Sequence, residues 1–346
     1  MTGGPEKNRK KRMSESYRPA TQPTLYFIGV STAKSSIMTI FPQWAEYLGI
    51  PEAQILGIDF PIHAEPASYR RAVEFIKSDP LSQGALVTTH KIDLFSACRD
   101  LFDEIDRHAL LMGEISCISK REGKVLCHAK DPISSGLTLD GFLPPDHWKN
   151  SGAEVFIMGA GGAAIAITWH LMRGETQEEA NRPSRILISD PHPSRLAEIR
   201  HIHAKFHSKV PVEYIQVSDP LDNDSVANRL KTGSLVVNAT GLGKDAPGSP
   251  LTDSARFPAN GIVWELNYRG DLVFVRQANA QKVECNLQIE DGWTYFIHGW
   301  TRVIAEVFHL DIPVSGETFN RFAEIAVDAS NRREAKNSRT HELPTF

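Results

Sequence analysis

The chain has 346 residues, 41% of them hydrophobic, with 38 Lys and Arg against 42 Asp and Glu for a formal charge of −4. At roughly 150 residues per domain, that length predicts two cores rather than one. Six basic and two acidic residues lie in the first 20 positions, so the rest holds 32 against 40; a body of net charge −8 argues against nucleic acid as a partner.

The leader, MTGGPEKNRKKRMSESYRP, has neither the apolar stretch of a signal peptide nor an apolar period, and residues 1–23 are read as a disordered tail. No apolar run approaches the ~18 residues of a spanning helix, which predicts a soluble chain without a membrane partner. Cys98, Cys117, Cys127 and Cys285 lack CxxC spacing and are read as reduced, in a cytoplasmic protein. The histidines of HIHAKFH, His201 to His207, are read as a solvated helix face, and no metal is expected.

LYFIGVS (Leu25 to Ser31) is the first predicted strand, and a helix around Trp44 and Leu48 follows. ILGIDF (Ile55 to Phe60) is the second strand, and Tyr69, Val73 and Ile76 mark the next helix by their spacing. GALVTT (Gly84 to Thr89) is a third strand that runs directly into HKIDLFSACRDLF. ISCISKREGKVLCH (Ile115 to His128) reads as a hairpin turning at Arg121 to Lys124, and FLPPDHWKNSG (Phe142 to Gly152) as a domain boundary.

From Glu154 the alternation restarts as EVFIMG, helix, RILISD, a helix with Leu196 and Ile199, VEYIQV, a short helix, SLVVNAT and GIVWEL. That series has a doubly wound look. One or two helices are expected from about Glu290, with a frayed end after Asn331. The predicted fold is α/β: a substrate or catalytic domain at 24–142, a Rossmann domain at 143–290, helices at 291–331 packing back to complete the cleft, and a tail at 332–346.

In MGAGGAAIAIT (Met158 to Thr168), Gly159 directly follows a strand while Gly161 and Gly162 open a helix. Glycine permits the left-handed turn, the missing Cβ lets a phosphate reach the backbone, and the helix start offers unpaired N–H groups to a pyrophosphate. Gly159, Ala160, Gly161, Gly162 and Ala163 are therefore candidate coenzyme contacts. Ala164 takes the third place of GxGxxG, where a small residue suffices for close packing. The next strand ends in Asp190, a carboxylate for the ribose hydroxyls, set later than usual by the insert ETQEEANRPS (Glu175 to Ser184). That carboxylate repels a 2′-phosphate, so NAD is the expected cofactor, with NADP as the alternative that nearby Arg195 keeps open.

VTTHK places Lys91 just past a strand, and AKDP places Asp131 just past the hairpin. Hydride transfer at a carbinol needs a group to give or take the hydroxyl proton. A lysine beside a carboxylate does this where a sheltered cleft lowers its pKa toward neutrality; a surface salt bridge is the other reading of the two charges.

From Leu25 to about Phe322 the chain resembles the shikimate/quinate dehydrogenase family. The family's GxPxxHSxSP looks like GVSTAKSSIM (Gly29 to Met38), and its NVTxPxK like ALVTTHK, with the catalytic lysine on Lys91. Its GAVNT and NTD look like GEISC (Gly113 to Cys117) and AKD, with the catalytic aspartate on Asp131. Its NATPxG looks like NATGLG (Asn238 to Gly243), and its DxxYxP like ELNYRG with Tyr268 kept. The resemblance implies a cleft between the two domains, with Asn238, Ala239, Thr240 and Gly241 on the cofactor side and Tyr268 on the substrate side.

The departures fall on the substrate shell. Ser35 matches the first of the family's two carboxylate-gripping serines, while Ile37 takes the second place unless Ser36 shifts into it. The substrate asparagines fall on Ala85 and Ala129, the threonine on Val87, and the glutamine on His298 or Gly299. Each lost donor costs ~1–3 kcal/mol of recognition, so shikimate is disfavoured unless Lys34, Thr88, Thr89, Lys130 or His298 compensates. The expectation is an NAD(P)-dependent alcohol dehydrogenase of this type. Its partner is a polyhydroxylated small molecule (quinate, a cyclitol or a sugar-like ketone), and the chain is a monomer or homodimer. A ligand-sensing module that has lost turnover and a methylenetetrahydrofolate-dehydrogenase-like enzyme are the alternatives.

Overall fold

The computed structural model describes residues 17–173, 181–244 and 246–340, with backbone alone for 332–340. The basic leader at 1–16, most of the polar insert and the end at 341–346 lie outside them. The first half forms β1 (Thr24–Gly29), α1 (Ile37–Tyr47), β2 (Gln54–Asp59), α2 (Pro66–Ser78), β3 (Ser82–Val87) and α3 (Lys91–Cys98). It continues with β4 (Glu104–Ile105), α4 (Arg107–Met112), β5 (Cys117–Arg121), β6 (Lys124–His128) and α5 (Asp131–Phe142).

These strands lie in the order β2-β1-β3-β5-β6-β4. β1, β2 and β3 run parallel, and the β5–β6 hairpin joins β3 antiparallel. All six residues of β1 are buried, as a parallel strand covered on both faces requires.

The second half forms α6 (His147–Ser151), β7 (Val155–Met158), α7 (Gly162–Met172), β8 (Ile186–Asp190), α8 (Pro193–His203), β9 (Val212–Gln216) and α9 (Pro220–Ala227). β10 (Leu235–Asn238), β11 (Ile262–Glu265), α10 (Val273–Cys285) and β12 (Gln288–Glu290) complete it. The sheet order is β12-β11-β10-β7-β8-β9, parallel throughout. The winding reverses between β7 and β10, and in such sheets the ligand crevice lies beyond the carboxyl ends of those two strands.

α11 (Trp293–Phe308) and α12 (Gly316–Thr340) return to the first half. Ile297, Trp300, Val303 and Phe322 share a core with Phe27, Phe41 and Trp44, and Trp44 Nε1 donates to Phe322 O at 3.0 Å. The start of α11 also touches the second sheet, where Tyr295 meets Trp264 edge-on at 5.8 Å. α11 therefore spans the crevice between the sheets. α5 joins it: the missing Cβ of Gly136 leaves room for His170 of α7, whose Nε2 lies 2.9 Å from Asp140 Oδ1.

Several readings of the sequence change here. Residues 17–23 are ordered, with Tyr17 stacked on Phe75 at 4.9 Å and Ala20 N donating to Asp79 Oδ2 at 2.9 Å. The boundary segment contains α6, whose Trp148 is buried. β4, α4 and β12 lacked a sequence signal because they are short. α12 continues to Thr340, where a frayed end was expected. His203 is not on a solvated face: its ring is buried between Thr168 Oγ1 and Tyr214 Oη, each at 2.8 Å. Among the described residues, no three His, Cys, Asp or Glu side chains are grouped to hold a metal ion.

Candidate active site

β3 delivers Lys91 to the crevice through a strained turn. Thr89 has φ +47°, and His90 N donates back to Thr88 O. A β-branched residue is costly in the left-handed region, and such strain persists only where its surroundings impose it. Here the buried His90 ring is held by Tyr69 Oη at 3.0 Å, and Lys91 opens α3 immediately after. Asp131 opens α5 from the end of the hairpin, followed by Pro132, which suits a helix start.

The two side chains meet. Lys91 Nζ donates to Asp131 Oδ2, and they are 21% and 18% exposed, sheltered but within reach of a small molecule. One expectation is corrected. Burial pushes the Lys91 ammonium down, but the carboxyls of Asp131 and Glu114 outweigh it and hold the amine above its ordinary value. Lys91 thus rests charged.

Glu114 is the functional candidate that sequence reasoning missed. It is buried, 3% exposed, and its Oε1 has no hydrogen-bond partner among the described residues. Burial pushes its carboxyl up to about 7, against the opposing pull of Lys91 and with a further push from Asp131. The available signal was a lone carboxylate set between the turn glycine Gly113 and a buried strand. Tyr295 of α11 was missed too; burial, then the charges of Asp131 and Glu114, hold its hydroxyl well above the usual phenol range.

The glycine turn stands opposite, at the end of β7. Gly159 has φ +99°, and a Cβ there would lie 2.8 Å from Ala239 O at the end of β10. Nothing lies within 4 Å of the Cβ position of Gly161, so the first turn of α7 is open on that side. Ala160 and Ala163 flank these glycines on the same turn. Asp190 Oδ2 accepts from Ala160 N at 2.9 Å, and Oδ1 from His192 N at 2.8 Å. Its carboxylate therefore stands at the end of β8 beside the turn.

Asn238 is corrected from a contact to a support. It is fully buried; its Nδ2 donates to Glu265 Oε2 at 2.7 Å, and its Oδ1 accepts from Thr240 N and Oγ1 at 3.0 and 2.6 Å. Asn267 N donates to Glu265 Oε1 at 2.8 Å, yet burial still pushes that carboxyl up to about 7. The network shapes the loop of Ala239, Thr240 and Gly241 over the crevice.

The substrate candidates divide. Thr32 N and Oγ1 both donate to Asp59 Oδ1, at 2.9 and 2.6 Å, which fixes the loop carrying the exposed Lys34 and the half-buried Ser35. Ile37 is fully buried in α1, so it offers no second hydroxyl position. Thr88 is half-buried, with Oγ1 3.4 Å from Ile28 O. Tyr268 packs at a tilt against Phe296 at 4.5 Å and Trp293 at 5.6 Å, an aromatic wall. His298 is corrected: it is 3% exposed and lies flat on Phe319 at 4.3 Å, inside the core. Lys130 is likewise spent on Glu306, at 2.7 Å. Gly299, one turn beyond Tyr295, has nothing within 4 Å of its Cβ position.

No family model matches the chain. A curated relative, the shikimate dehydrogenase (NADP(+)) of Streptococcus thermophilus, is 26% identical over 185 residues, 53% of this chain and 59% of that protein. The chain thus spans little more than half of that relative's length. Among solved structures, the quinate dehydrogenase of Corynebacterium glutamicum in complex with NAD superposes with a TM-score of 0.68 at 18% identity, covering 89% of this chain and 99% of that one. The ligand-free 5-ketofructose reductase of Gluconobacter sp. strain CHM43 gives a TM-score of 0.60 at 18% identity over 89% and 98%.

Proposed function

We propose that this chain, a divergent member of the shikimate/quinate dehydrogenase family, is a nicotinamide-dependent oxidoreductase acting on a carbinol or ketone of a polyhydroxylated small molecule. The observation that carries the reading is the Lys91–Asp131 pair, half-sheltered in the same crevice as the glycine turn.

The residues present fit a dinucleotide. The first turn of α7, open at Gly161, would take the pyrophosphate, Asp190 the adenosine ribose, and Thr240 and Gly241 the nicotinamide end. When bound, that cofactor supplies or accepts the hydride. The carboxylate of Asp190 supports NAD as the preferred form, although the Streptococcus thermophilus relative is named for NADP(+).

The protein's own part is proton transfer. A charged Lys91 gives its proton to the oxygen of a ketone, and the neutral amine takes it back from the alcohol in the reverse direction. Asp131 orients the amine and accepts from a neighbouring substrate hydroxyl. Lys34, Ser35, Thr88 and Tyr268 would line the substrate side. Alanines at 85 and 129, both fully buried, remove two polar handles, so shikimate fits less well than quinate, a cyclitol or a sugar-like ketone.

The test follows reduced-nicotinamide absorbance with NAD and NADP across quinate, shikimate, cyclitols and sugar-like ketones. Turnover of a polyhydroxylated compound other than shikimate supports the reading. Silence across the panel, with no dinucleotide bound, contradicts it.

A further inference from the structure

The carboxyl of Glu114 reaches across the crevice from the first half of the chain to the glycine turn of the second. A Cβ built on Gly162 would lie 3.0 Å from Glu114 Oε2, so this oxygen sits against the first turn of α7. The other oxygen, Oε1, is buried and has no hydrogen-bond partner among the described residues. An acidic group therefore occupies the approach that a diphosphate would use, with a spare oxygen aimed into protein rather than water.

We propose that Glu114 makes dinucleotide binding proton-linked: the carboxyl takes up a proton as the diphosphate arrives and then donates a hydrogen bond to a phosphate oxygen. This rests on the coenzyme reading above. The physical reason is charge. A carboxylate and a diphosphate cannot share one helix start without strong repulsion, whereas a neutral carboxylic acid there is a donor.

The groups facing Glu114 set its balance. Lys91 of α3 favours the ionised form, while Asp131 of α5 and Glu198 of α8 oppose it, and Tyr295 of α11 is a neutral phenol. Burial leaves the carboxyl near neutrality, at about 7, so its proton is available at little cost in the physiological range.

The experiment is calorimetric titration of the full chain with NAD and with ADP-ribose, in buffers of differing ionisation enthalpy, between pH 6.5 and 9. Neither ligand carries a phosphate that titrates in this range. Uptake approaching one proton is expected toward pH 8, with affinity falling up to about tenfold per pH unit above neutrality. Glu114→Gln, checked for fold by circular dichroism, should bind both ligands without proton uptake and with a flat pH profile. Binding of the wild-type chain without uptake, or an unchanged slope in Glu114→Gln, overturns the proposal while leaving the coenzyme reading intact. Failure of both ligands to bind at any pH overturns the coenzyme reading and this one with it.

Discussion

Gly159 faces Ala239 across the point where the second sheet reverses its winding, and a Cβ on Gly159 would stand 2.8 Å from Ala239 O. Two strands thus end so close together that only a glycine fits between them. Gly161, two residues on, has φ −85° and no atom within 4 Å of its Cβ position.

The two glycines should therefore respond differently to alanine. Gly159→Ala adds a clash to a left-handed φ and is expected to cost more than ~1 kcal/mol of stability, and dinucleotide binding with it. Gly161→Ala should leave stability within about 0.5 kcal/mol yet weaken NAD binding at least about tenfold, because the new methyl stands where phosphate approaches. Urea denaturation and NAD titration of both variants check this. Unimpaired NAD binding by Gly161→Ala would place the diphosphate elsewhere.

Asp190 braces Ala160 and His192, and in the proposed function its carboxylate also meets the ribose. Asp190→Asn keeps an acceptor but removes the charge that repels a 2′-phosphate. The ratio of NADP to NAD affinity should rise by about tenfold, the order of one lost charge interaction. Equal ratios in the variant and the wild type would mean that this carboxylate does not select the cofactor.

Burial lowers the His203 imidazole to about 4. The sign follows directly: the folded chain prefers the neutral ring, so its stabilisation is complete above the unfolded value near 6.5 and is lost as pH falls toward about 4. The loss reaches roughly 3 kcal/mol at the acid end. His203→Gln retains a donor and an acceptor for Thr168 and Tyr214 without titrating. Its unfolding free energy should fall less between pH 6.5 and 4 than that of the wild type; parallel curves would show that His203 does not contribute.

Much of this arrangement was legible in the sequence because it is written locally. Both sheets, the hairpin, the glycine turn and the positions of Lys91 and Asp131 just past strand ends follow from apolar period and turn residues. What could not be read is where side chains from distant segments meet. Asn238 has the motif position of a cofactor contact, but its partner is Glu265, 27 residues away on the next strand. His298 stands where a substrate group was expected, but the rotation of α11 turns it onto Phe319 and turns Tyr295 toward the crevice instead. Glu114 was overlooked because a single carboxylate carries no pattern; only the fold brings it to the glycine turn. The expected downward shift of Lys91 failed because the pull of Asp131, with that of Glu114 added, outweighs burial.

The central claim is that Lys91 moves the proton while the second half of the chain holds the dinucleotide, and one pair of measurements on Lys91→Ala addresses both halves. With a substrate that the wild-type chain turns over, the rate should fall by about 10²- to 10⁴-fold. The affinity for NAD, measured by titration on the same sample, should be essentially unchanged. Turnover by Lys91→Ala at the wild-type rate would contradict the account.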